Sequence, residues 1–164
     1  MDIERKRLVF DLTVWISSAL LALSLLAFDA AAGSRNLRAD NAVWRAECGS
    51  CHVAYPAALL PAAEWHRLMG SLDRHFGADA AVEAKVAAEI ETFLADNAGR
   101  GGDGGGAAQA TPRITATRWF QHEHGKVPAG VFASAAVKTA ANCAACHPGA
   151  TAGDFNEHAV RIPR

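Results

Sequence analysis

The chain has 164 residues, with 16 Lys and Arg against 17 Asp and Glu, 51% hydrophobic and 20% charged content. Near-neutral charge excludes binding to nucleic acid through a basic patch, and the apolar content excludes a disordered chain. With only 7% aromatic residues, bulky side chains are too few to fill a large core, so a non-protein group is a candidate filler.

At the N-terminus, Arg5, Lys6 and Arg7 precede an apolar run from Val14 to Phe28, followed by the small residues Ala30, Ala31, Ala32 and Gly33. Residues 1–32 therefore read as a secretory signal peptide. As a helix the run spans ~22 Å, short of the ~30 Å hydrocarbon core. A retained anchor is the alternative, and the leader is the only segment expected to touch a membrane.

Composition changes abruptly after Asn97. The stretch Gly99–Pro112 contains six glycines and little apolar bulk, which makes 98–112 a flexible linker between segments 33–97 and 113–164. Its Gly99-Arg100-Gly101-Gly102-Asp103-Gly104 matches a dinucleotide-binding pattern, but no strand precedes it and no amphipathic helix follows. Segments this small commonly depend on a disulfide, a metal or a cofactor.

Each segment holds one cysteine pair. Cys48-Gly49-Ser50-Cys51-His52 and Cys143-Ala144-Ala145-Cys146-His147 are both C-x-x-C-H, the attachment signature of a c-type haem. Two thiols three positions apart on a tight turn can each add to a porphyrin vinyl group, and the adjacent histidine meets the iron from the proximal side. A zinc site, two local disulfides or a thioredoxin-like motif use the cysteines but leave His52 and His147 unexplained. Two covalent haem c groups, each with its iron, are thus expected, in an exported protein.

Beyond the leader, Met69 is the only methionine, so two histidine/methionine haems are impossible. His66, His75, His122, His124 and His158 remain as distal candidates, which favours bis-histidine ligation at both irons. Such iron is low-spin, saturated and of lower potential than with methionine.

Asn41–Cys48 reads as a short helix leading into the first motif. After Pro61 a helical stripe carries Trp65, Leu68, Met69, Leu72 and Phe76. On that stripe His75 falls beside Leu68 and His66 on the far margin, so His75 is the first distal choice, with Met69 and His66 as alternates. A longer helix over 79–97 buries Val82, Val86, Ile90, Phe93 and Leu94. In Arg118–His124, Phe120 and His124 share a face whether the segment is helix or strand. His124 is therefore the second distal choice, with His122 and His158 as alternates. Trp44, Tyr55, Trp119, Phe120 and Phe155 are expected to pack on porphyrin.

From Trp44 to Arg164 the chain resembles the small bacterial dihaem cytochromes c, often called DHC, which donate electrons to an oxygen-binding monohaem cytochrome. The resemblance rests on the stretches Glu47–Pro56, Leu72–Gly77, Arg113–Phe120, Ala141–His147 and Gly153–Arg164. It implies an all-α and irregular fold: a class I cytochrome c-like helical N-terminal haem domain and a small, mostly irregular C-terminal one. By position, the family's distal histidines correspond to His75 and His124. The resemblance further implies a membrane cytochrome b as electron donor and a periplasmic haem protein as acceptor.

The expected function is that of a periplasmic electron carrier with no catalytic residue. The alternatives are a small dihaem subunit of a periplasmic nitrate reductase and, in other classes, a haem peroxidase or a gas sensor.

Overall fold

A computed structural model of the protein describes residues 37–100 and 112–163; the leader and most of the glycine-rich stretch fall outside these residues. The described chain is helical and irregular. Its only β pairings are two isolated bridges, Pro61 with Gly99 and His75 with Ala78.

Helix α1 (Ala42–Cys48) starts where the side chain of Asn41 accepts a hydrogen bond from the Trp44 amide at 2.9 Å. That contact satisfies one of the amides a helix start leaves unpaired. The helix stops at Gly49, where a Cβ would collide with the Arg45 carbonyl, and the first attachment motif leaves α1 at this point.

Helix α2 (Ala62–Met69) follows Pro61 and helix α3 (Ala84–Asp96) follows Glu83, whose carboxylate accepts from the Val86 amide. The α2 and α3 helices pack against each other, and α1 packs on α3. Between them lies the main core: Trp44, Ala57, Leu60, Trp65, Leu68, Ile90 and Leu94. Trp44 meets Phe93 at 5.1 Å between ring centres, and the Trp65 indole donates to the Ala57 carbonyl at 2.7 Å. Trp44 thus fills the protein's own core.

Leu60 is fully buried in this core. Truncating it removes packed methyl groups and leaves a cavity the neighbours close only in part. Leu60→Ala is expected to lower stability by about 2–5 kcal/mol, measured by denaturant unfolding of the haem-loaded protein.

Two expectations need correction. The stripe after Pro61 is not one helix, because α2 ends at Gly70 and a short 3₁₀ turn, Leu72–Arg74, follows. The Ser71 hydroxyl donates to the carbonyls of Arg67 and Leu68 and closes the helix end. Likewise the third helix begins at Ala84 rather than at residue 79, and Val82 precedes it.

The C-terminal half is built from shorter pieces: α4 (Arg118–His124), α5 (Ala129–Phe132) and 3₁₀ turns at Ile114–Ala116, Cys143–Ala145, Ala150–Ala152 and Glu157–Ala159. Its buried residues include Pro112, Thr117, Phe120, Val137 and Ala150, a smaller set than the N-terminal core. The described residues cluster as one compact unit. The halves meet where Tyr55 donates to the Ala141 carbonyl at 2.7 Å and Arg45 to the Thr151 carbonyl at 3.0 Å. No helix among the described residues is long and apolar enough to cross a membrane.

Candidate haem sites

The first site forms where α1 delivers Cys48 and the following turn delivers Cys51 and His52. The Nδ1 of His52 lies 2.7 Å from the Val53 carbonyl. A carbonyl only accepts, so Nδ1 carries the proton and Nε2 is the nitrogen left for a metal.

Facing it is His75, which stands just past the 3₁₀ turn rather than on a helical stripe. The chain reverses directly after it: Phe76 and Gly77 both have positive φ, at 51° and 97°, and the Ala78 amide donates to the His75 carbonyl at 3.0 Å. Left-handed φ at Gly77 costs little because it has no Cβ, whereas at Phe76 it is uncommon. This reversal, not helix geometry, presents the imidazole. The His52 and His75 rings lie 6.1 Å apart between centres, tilted by 27°.

The second site is assembled from α4 and the turn at Cys143–Ala145. Fully buried Thr117 donates its hydroxyl to the Ile114 carbonyl at 2.7 Å and accepts from the Phe120 amide at 3.1 Å. That cap sets the start of α4 and seats Phe120 in the core. One turn later His124 stacks on Phe120 at 4.1 Å, and its Nδ1 donates to the Phe120 carbonyl at 3.0 Å. His124 faces His147 with 6.2 Å between ring centres and 72° between planes. Phe155 also lies 5.4 Å from the His147 ring.

These separations test whether a haem iron fits. Two imidazoles on opposite faces of one iron, with metal–nitrogen bonds of about 2 Å and each nitrogen about 1.1 Å from its ring centre, would have centres roughly 6.2 Å apart. Both pairs meet this requirement. The Nδ1 atoms of His75 and His147 are buried without a hydrogen-bond partner among the described residues. Burial, and then the neighbouring His52, push His75 below the ordinary imidazole range; burial and then His124 do the same to His147. Each pair therefore holds one ring in the neutral form that metals bind.

The four sulfurs are free thiols that stand for the thioether sulfurs of a haem-loaded site. Burial, with Glu47 adding, pushes Cys48 up to about 11. Cys143 also rises to about 11, chiefly by burial. Among the described residues no three His, Cys, Asp or Glu side chains are grouped to hold a bare metal ion.

The other candidates lie elsewhere. His66 is exposed and pairs with Glu91 at 2.6 Å. Met69 is half-buried against the main core, as a helical methionine commonly is. His122 is exposed beside Glu123 at 3.2 Å, and His158 is exposed in the last 3₁₀ turn. The Tyr55 ring stacks on His52 at 4.6 Å and 19°. Periodicity gave no sign of the Tyr55–Ala141 contact, because the partners are 86 positions apart.

Residues 44–155 match the family model for dihaem cytochrome c. Among solved structures, the dihaem cytochrome c of Shewanella baltica OS155 is 37% identical with a TM-score of 0.65, covering 75% of this chain and 93% of its own. A dihaem cytochrome c from Rhodobacter sphaeroides is 38% identical with a TM-score of 0.61, covering 70% and 96%. No curated protein matches in sequence. With its two C-x-x-C-H motifs, its mostly helical fold and these similarities, the chain belongs to the dihaem cytochrome c family and carries two haem c groups.

Proposed function

We propose that the protein is an exported electron carrier in which His52 and His75 ligate the first iron and His147 and His124 the second. The haems are attached through Cys48 and Cys51 and through Cys143 and Cys146. The observation that carries this reading is the pair of facing imidazoles at 6.1 and 6.2 Å, which only these four of the seven histidines form among the described residues. When bound, each haem supplies a one-electron Fe(III)/Fe(II) couple.

The chain's own residues account for the rest. The Val53 and Phe120 carbonyls fix the rings of His52 and His124 with Nε2 free, which orients a ligand and raises its basicity. Held by His52 and His75, or by His147 and His124, each iron would keep the same two neutral imidazole ligands in either oxidation state, with a lower potential than methionine ligation would give and no position left for a substrate. The polypeptide thus divides into two haem-binding halves, 33–97 and 113–164, joined by 98–112. Residues 1–32 act as the export signal to the periplasm. By family likeness the donor is a membrane cytochrome b and the acceptor a periplasmic haem protein.

Optical and electron paramagnetic spectra test this reading. The oxidised protein should contain two low-spin haems and no sulfur-to-iron charge-transfer band, and the reduced protein should not bind CO. A high-spin fraction that takes up CO or peroxide overturns it in favour of an enzyme or sensor.

A further inference from the structure

We propose that Tyr55 is a two-ended positioning residue that couples the two haem sites, its ring set on the proximal imidazole of the first and its hydroxyl bonded into the attachment turn of the second. The inference rests on the ligand assignment above. At one end the phenol ring lies 4.6 Å from the His52 ring and 19° from parallel, so it limits how that imidazole rotates. At the other end the hydroxyl donates to the Ala141 carbonyl at 2.7 Å, two residues before Cys143.

That carbonyl also accepts from the Cys143 amide at 3.1 Å and from the Cys143 sulfur at 3.7 Å, which donates to it as a thiol. Haem attachment turns this sulfur into a thioether with no proton to give. Of the three donors, the Cys143 amide and the shorter-bonded Tyr55 hydroxyl then remain on the carbonyl. Removing the hydroxyl takes away the shortest of these bonds and leaves the half-buried carbonyl to the amide alone, so its negative end is less compensated at the second attachment turn, which would favour ferric over ferrous iron there.

The test uses the full haem-loaded chain, reduced by one electron, with the populations of the two singly reduced forms read by NMR. Tyr55→Phe keeps the ring and loses the hydroxyl. It is expected to move the electron toward the first haem at least threefold, with both haems still low-spin and the first potential unchanged. Tyr55→Leu, which also loses the stack, should shift both potentials. A ratio within 1.5-fold of wild type in Tyr55→Phe, or a change confined to the first haem, overturns the proposal.

A measurement without substitution covers the case in which a variant fails to assemble. Tyr55 is the only tyrosine in the chain, so its hydrogen-bond-sensitive ultraviolet Raman bands are unambiguous. They should shift on reduction of either haem, and bands indifferent to one of them sink the idea. Failure of the ligand assignment itself would already appear as wrong spin or ligation in the wild-type spectra.

Discussion

Replacing His75 by alanine is expected to open one of the two haems and leave the other closed. The first site then keeps His52 but loses the ring 6.1 Å from it, and the carbonyls, amides and apolar groups nearby are poor ligands for iron. About half of the haem should become high-spin in the oxidised state and bind CO when reduced, while both haems stay attached through their cysteines. His124→Ala should do the same at the second site, where it faces His147 at 6.2 Å. Four control substitutions are expected to leave the spectra unchanged. His66 is held by Glu91, Met69 packs in the core, and His122 and His158 are exposed. Spectra of the CO complex and of the oxidised protein read the outcome. An unaltered low-spin spectrum in His75→Ala would refute the first assignment.

The second large effect concerns folding. In the double variant Cys143→Ala, Cys146→Ala the second haem cannot be attached. The N-terminal core contains two tryptophans, two isoleucine- or leucine-bearing helices and the buried Leu60. Residues 112–163, by contrast, bury only Phe120 as a large side chain, with Val137, Ala150, Thr117 and Pro112. So small an apolar set is marginal against the entropy of ordering some fifty residues. The variant should carry one haem by mass. Its amides over 112–163 should exchange rapidly, while those of α2 and α3 stay protected and the first haem stays low-spin. Protection across both halves would show that the polypeptide holds the second half without its porphyrin.

The attachment chemistry was legible in the sequence because it is local. Two cysteines three apart and a histidine next in line are set by the spacing of one turn, and the helix over Ala42–Cys48 with its Asn41 cap follows from short-range rules. The helical choice for Arg118–His124, left open by pattern alone, follows from the buried Thr117 cap. At His75 the helical face that apolar spacing predicts does not exist. The α2 helix stops at Gly70, and the reversal at Phe76 and Gly77 presents the ring. Apolar periodicity ran on through Leu72 and Phe76, and it carries no sign of where backbone hydrogen bonding breaks.

By itself the sequence determined that the chain carries two C-x-x-C-H motifs for two haems and that methionine cannot serve both irons, because these depend on covalent spacing and on counts. Only the tertiary structure decided which histidine faces which, since His52 and His75, or His124 and His147, meet through turns that close at a distance along the chain. It alone also placed Tyr55 against both sites, joining a ring at position 55 to a carbonyl at position 141. Such contacts depend on how whole elements pack, and no local pattern of residues encodes that packing.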